Sequence, residues 1–193
     1  MSSNAVHNED TYPGSIFSLT DHEIYVVTAQ HEGRDSGQVA TWIMPATLVP
    51  DRPRVAIVLS PRNFTHGLIA ASGRFVLNML AEEQHALVPL FGLHSTRDID
   101  KFAGMQVERT ASGIAVLPGS CGWAECRIVS SMDLGDRIVY AADVIEQQLR
   151  PGAVPLRKRA AFALQPEDVR IRLEEKHRVY GTRDRDFMNH FDR

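Results

Sequence analysis

Gly37-Gln38-Val39-Ala40-Thr41-Trp42-Ile43-Met44 opens the stretch that decides how this chain is read. It continues through Arg54-Val55-Ala56-Ile57-Val58-Leu59-Ser60 and Pro61-Arg62-Asn63-Phe64-Thr65 to Arg74-Phe75-Val76-Leu77-Asn78-Met79-Leu80. The pattern predicts strand, loop, strand, loop, helix, strand. Gln38 to Met44 is dense in residues that suit a pleated surface. Arg54 to Ser60 is an almost unbroken apolar run, the pattern of a strand buried on both faces. Thr65 is expected to cap a short helix containing Gly67-Leu68-Ile69-Ala70-Ala71, with Gly73 stopping it. Thr41, Thr47, Ser60, Asn63 and Thr65 place small polar groups at strand ends and in loops. Such a set can bond a phosphate-bearing ligand.

Outward from this stretch, strand and turn signals alternate closely. Residues 1–15 are turn-formers and read as a loose arm. Glu23 to Gln30 reads as a strand, and the polar run from His31 to Gly37 as the turn of a hairpin. Pro50-Asp51-Arg52-Pro53 is a second turn. A helix is expected from Ala81 to Leu93, with Glu82 and Glu83 suiting its N-terminus and Pro89 kinking or ending it. Asp98 to Gly104 reads as a short helix. Met105 to Glu108 and Ile114 to Leu117 read as a hairpin around Ser112-Gly113, and Ala124 to Ser131 and Arg137 to Ile145 as two longer strands. A helix over Gln165 to His177 begins with Pro166. The tail, Arg178 to Arg193, mixes charge with Tyr180, Phe187 and Phe191, and reads as either disordered or an arm on a partner subunit. About seven closely spaced strands against three short helices predict an all-β barrel rather than βαβ units.

Composition narrows the function classes. The 193 residues suit one domain with a real core, and 44% apolar with 23% charged residues is ordinary for a globular protein. A net charge of −3 and a pI of about 6.2 give no basic field for nucleic acid. No apolar run reaches the roughly 20 residues needed to span a bilayer. The polar start, Met1 to Asp10, lacks the apolar centre of a signal peptide, so a cytoplasmic protein is expected. Cys121 and Cys126 are not spaced as a CxxC pair and read as ordinary thiols. The eight histidines show no HxH or HExxH spacing, and no nucleophile elbow or P-loop is present, so no metal site or triad is predicted.

Four motifs in order resemble the flavin reductase-like family. They are Ala40-Thr41-Trp42-Ile43-Met44-Pro45-Ala46-Thr47, Pro61-Arg62-Asn63-Phe64-Thr65-His66, Gly73 to Leu80, and Gly135-Asp136-Arg137 before Ile138-Val139-Tyr140. The resemblance covers roughly residues 20–150. It departs from the family's pattern at Thr41 and Thr47, where Ser is usual, at Asn63, where relatives place Arg, and at Arg137, where His is usual. It implies a mainly β fold, the FMN-binding split β-barrel with a few short helices, as one domain forming a homodimer. It implies FMN, or FAD, as the cofactor and NAD(P)H as co-substrate. Flavin contacts are then expected from Ala40, Thr41, Trp42, Ile43, Thr47, Ser60, Pro61, Arg62, Asn63, Thr65, Asn78 and Arg137. No side chain is required as general acid or base, because hydride transfer belongs to two stacked rings.

Each candidate also has an ordinary role open to it. Thr41 and Thr47 are common strand residues, Trp42 suits a core, and Asn78 can be a buried amide satisfied by backbone. Asp136-Arg137 can simply close a tight turn. The basic run Arg150, Arg157, Lys158 and Arg159 is either a solvated face or an attraction for ligand phosphates. Three functions remain open: a flavin reductase supplying reduced flavin to an acceptor or partner monooxygenase, a flavoredoxin-like electron carrier reduced by a partner protein, and a non-catalytic split-barrel protein binding haem or another ligand.

Overall fold

A computed structural model describes residues 14–188; the expected N-terminal arm up to residue 13 and the tail beyond 188 lie outside the described residues. Nine strands form: β1 (Tyr25–His31), β2 (Arg34–Ala40), β3 (Ile43–Pro45), β4 (Arg54–Leu59), β5 (Arg74–Met79), β6 (Glu108–Arg109), β7 (Ala115–Val116), β8 (Gly122–Asp133) and β9 (Ile138–Leu149). Four helices accompany them: α1 (Phe64–Ser72), α2 (Leu87–Leu93), α3 (Lys158–Ala163) and α4 (Glu167–Met188). Seven strands pair antiparallel in the order β2-β1-β5-β8-β9-β4-β3, and β6 pairs separately with β7.

The order of strands dictates the curl. β2 and β3 are the two edges of the seven-stranded sheet, yet only Thr41 and Trp42 separate them in sequence. Laid flat, those edges would stand about 29 Å apart. The three Cα steps from Ala40 to Ile43 reach at most about 11 Å. The sheet therefore rolls into a barrel split at this point. This corrects the expected continuous strand from Gln38 to Met44, which breaks at Thr41-Trp42 where the chain crosses between edges.

Two large apolar cores result, and a smaller cluster of Val76, Ile114 and Val116 covers the other face of β5. Val27, Ala29, Ile57, Leu59, Phe75, Leu77, Cys126 and Ala142 fill the barrel, closed by Leu68 and Ile69 of α1. Val26, Ile24, Leu80, Val88, Phe91, Leu117 and Leu156 form a second core outside it, which Leu173 of α4 joins. β1 and β5 are thus covered on both faces. β4 is not, contrary to expectation: Ile57 and Leu59 are buried while Ala56 and Val58 are only half-buried.

Other boundaries also move. The polar turn expected over 31–37 shrinks to Glu32-Gly33, both at positive φ, so that Arg34 to Gly37 join β2. Asn63 rather than Thr65 takes the N-cap position of α1, without a side-chain capping bond, and Gly73 ends the helix at φ 68°. Pro89 neither kinks nor ends α2. It sits in the first turn, where its missing N–H has no intrahelical partner to lose. Residues 98–104 form successive turns instead of a helix, because Asp100 Oδ1 takes the Phe102 N–H at 2.9 Å and competes with helical bonding. The hairpin around Ser112-Gly113 pairs only Glu108–Arg109 with Ala115–Val116. α4 runs to Met188, far past the expected end at His177.

Gly122 marks the tightest approach of β8 to β9. A Cβ there would stand 2.6 Å from the Gln148 carbonyl oxygen, which is backbone and cannot swing aside. Gly122→Ala is expected to destabilise by about 1–3 kcal/mol, read as a lower urea midpoint at unchanged m-value. An unchanged midpoint would show that the two strands part there without cost.

Candidate functional site

The register of three neighbouring strands gathers most of the expected ligand-binding residues at one end of the barrel. Ile43 pairs with Ile57, and the Val58 N–H donates to the Trp42 carbonyl at 3.0 Å. Leu59 pairs with Ile138. One step beyond that pair stand Ser60 on one chain and Arg137 on the other. Ala40, Thr41, Trp42 and Ile43 thus meet Ser60-Pro61-Arg62-Asn63 and Arg137 at the split.

α1 begins here. Asn63 is its N-cap with extended backbone, and the Asn63 side chain makes no capping bond. The first turn of a helix leaves N–H groups without intrahelical acceptors and favours an anion. The Ser60 hydroxyl, nearly buried, accepts from the Arg62 N–H at 3.4 Å. Arg62 and Arg137 converge on the two oxygens of one carboxylate, that of Asp184 in α4. Arg137 Nη1 lies 2.8 Å from Oδ2 and Arg62 Nε 3.7 Å from Oδ1. Arg183 adds contacts of 2.7 and 2.8 Å to Oδ1. Burial raises the proton affinity of the Asp184 carboxyl, but the bonds from Arg183 and Arg137 outweigh it and hold the pKa below its ordinary value. The Phe187 ring centroid is 3.7 Å from the Arg62 guanidinium carbon, and Trp42 lies 5.7 Å from that of Arg137. Arg137 also bonds Asp136 through both its carbonyl, at 2.7 Å, and its carboxylate, at 3.0 Å.

This donor set suits a phosphate ester. Two guanidiniums already share one anion, beside an uncapped helix start and a hydroxyl. The phosphate of a flavin nucleotide fits these groups.

Three expected residues stand elsewhere. Thr47 lies past the far end of β3, where Ala46 bonds Arg54, and its hydroxyl accepts from the Val49 N–H at 3.1 Å. Asn78 is wholly buried. It donates to the Val26 carbonyl and the Thr28 hydroxyl and accepts from the Leu117 N–H, so it ties β5 to β1 and to the segment after β7. Thr65 is buried within α1, its hydroxyl 2.8 Å from that of Ser36, which is 2.8 Å from that of Thr96. The chain of three hydroxyls fastens α1 to β2. His66 is bound through Nε2 to the Tyr140 hydroxyl at 2.8 Å, and burial lowers its pKa. The basic run is engaged at the surface: Arg150 with Glu83, Arg157 with Glu23, and Arg159 with the Ser18 carbonyl. Cys121 and Cys126 are free, buried thiols, and burial pushes Cys126 up to about 12.

Asp184, Arg183 and Phe187 were not expected at the site. The mixture of charge and aromatics in the tail was the only sequence signal, and it carried no position.

The matched family is the flavin reductase like domain, over residues 17–160. A high molecular weight rubredoxin of Moorella thermoacetica is 30% identical over 134 residues, 68% of this chain and 57% of that protein, so the chain spans little more than half of that relative. The reductase component of a 4-nitrophenol 4-monooxygenase/4-nitrocatechol 2-monooxygenase from Rhodococcus opacus is 30% identical over 129 residues, 67% of this chain and 66% of that one. The crystal structure of an FMN-binding protein from Thermus thermophilus with bound p-hydroxybenzaldehyde superposes with a TM-score of 0.66 at 26% identity, over 73% of this chain and 78% of that one. Its fold is the mainly β split barrel expected here. With the family match spanning residues 17–160, most of its length, this chain belongs to the flavin reductase-like family.

Proposed function

We propose that the chain is an FMN-binding flavin reductase that takes a hydride from NAD(P)H and supplies reduced flavin to an acceptor, such as a partner monooxygenase. The observation that carries this reading is the convergence of Arg62 and Arg137 on a single anion beside the start of α1, in a chain of this family. Flavin, when bound, supplies the hydride-accepting ring. Arg62, Ser60 and the first turn of α1 hold the phosphate end of the ligand. The backbone of Ala40 to Ile43 and the Trp42 ring, which lies beside Arg137, flank the rest of the ligand, and Arg137 faces the phosphates of the nicotinamide dinucleotide or of the flavin. No proton has to be held or moved by a side chain.

The reading extends to a single domain, a homodimer and a cytoplasmic location. Exposed Met44 on β3, Leu48 and Val49 in the loop after it, and Val129 and Met132 on β8 supply apolar surface for a second copy. Among the described residues no helix is long and apolar enough to cross a membrane. The reductase component named among the relatives supports a monooxygenase as the acceptor.

One observation favours a second reading, a flavoredoxin-like electron carrier. Arg137 stands where the family resemblance places His, and it is engaged with Asp136 and Asp184. A single experiment separates the two. The purified protein is mixed with FMN, its visible spectrum is recorded, and NADH and then NADPH are added without oxygen. Bleaching of the flavin band within seconds is expected for the reductase. A bound flavin that stays yellow with both assigns the carrier, and no flavin binding overturns both.

A further inference from the structure

The end of α4 poses a physical question. Of the 22 residues of this helix, the one fully buried is a carboxylate, Asp184, 3% exposed. It is held there by charge: Arg137 and Arg62 approach from the barrel, and Phe187, one turn on, stacks on Arg62. These are the same two arginines that suit a ligand phosphate. A carboxylate and a phosphate cannot both occupy the focus of that pair.

The helix is also built to let go. Its upstream half is fixed, with Leu173 in the second core and Lys176 Nζ on the Gly92 carbonyl at 2.5 Å. Between that anchor and Asp184 lies Gly181, where a Cβ would meet nothing within 4 Å. No packing requires glycine there, and glycine weakens a helix interior by about 1 kcal/mol relative to alanine. Departure of Asp184 leaves no bare charge, because Arg183, its neighbour on the same helix, stays with it. α4 also lies beyond residues 17–160, so it is an addition to the matched family region.

We propose that the last turns of α4 are a displaceable strap, in which the Asp184 carboxylate holds the place of a ligand phosphate on Arg62 and Arg137, so that strap and phosphate-bearing ligand exclude each other. The proposal rests on the flavin-site reading and adds a competing internal anion to it. The strap keeps the arginines paired until a flavin or dinucleotide phosphate takes its place.

The test uses the full chain. Asp184→Asn is expected to tighten FMN binding at least about fivefold, with binding of riboflavin, which lacks the phosphate, little changed. Gly181→Ala is expected to weaken FMN binding by stiffening the strap. Hydrogen exchange of amides 178–188 is expected to accelerate when FMN is added. A folded Asp184→Asn protein that binds FMN no better, with 178–188 equally protected before and after FMN, overturns the strap while leaving the flavin reading intact. Inorganic pyrophosphate is the second probe. If neither flavin binds but pyrophosphate deprotects 178–188, the strap stands and the flavin reading falls. If NADH rather than FMN gains from Asp184→Asn, the displaced carboxylate stands in for a dinucleotide phosphate.

Discussion

Alanine at both Arg62 and Arg137 is expected to weaken FMN binding about a hundredfold and riboflavin binding by less than about threefold. The two ligands share the ring and differ in the phosphate, so the ratio isolates the anion site. Hydrogen bonds to charged groups contribute about 1.5–3 kcal/mol each. Arg137, at 2.8 Å from the anion now seated there, stands at full bonding distance; Arg62, at 3.7 Å, stands farther off. Together they give about 3 kcal/mol, which is the hundredfold. The double variant should fold, since Asp184 keeps Arg183 and the barrel core does not involve either arginine. Fluorescence quenching titrations with both flavins, beside a thermal melt, measure the effect. Equal losses for FMN and riboflavin would mean that the arginines shape the opening without holding a phosphate. Unchanged FMN binding with a raised KM for NADH would move the pair to the dinucleotide.

The same site shows which parts of the architecture are legible in a sequence. Strand β5 and helix α1 are legible nearly to the residue, because Gly73 must end a helix at positive φ and the run from Phe75 is apolar around Asn78. These are local signals. The break at Thr41-Trp42 is not local: nothing in Gln38 to Met44 says that its two halves lie on opposite edges of one sheet. Likewise, the adjacency of Ser60 and Arg137 follows from the Leu59–Ile138 pairing, a register set by the whole barrel. Asn78 was recognised as notable, yet its amide serves the core. Asp184 has no signal of its own within the charged and aromatic tail. In a helix charged on every side, a single carboxylate reads as solvated, and only the fold brings it to arginines 47 and more residues away in sequence.

The second large effect concerns Lys101, and it appears in stability rather than binding. Lys101 is 3% exposed and its ammonium is met by two carbonyls, Gly37 at 2.8 Å and Phe91 at 3.4 Å. Burial first, and then the charge of Lys176, pull its pKa down to about 8. In the unfolded chain the same group titrates near 10.4. Between about pH 8 and 10.4 the unfolded state therefore binds a proton that the folded state has released, and unfolding becomes harder as pH rises. The full shift corresponds to about 3 kcal/mol, and the dielectric response of the surrounding protein reduces this to about 2 kcal/mol. Cys126 and Tyr25, each pushed up to about 12 by burial, act in the opposite direction, because the unfolded chain loses those protons first. The raw profile mixes both signs, so the informative quantity is the difference between wild type and Lys101→Met, taken from urea unfolding at a series of pH values. Wild type is expected to gain about 2 kcal/mol on the variant between pH 7.5 and 10.5. A flat difference would show that Lys101 titrates in the fold as it does in water. Gly37 is also closely packed: a Cβ on it would stand 2.7 Å from the Phe91 ring, which would have to shift. On the same two residues the Gly37 and Phe91 carbonyls converge on one ammonium, so Lys101→Met leaves both acceptors without that donor.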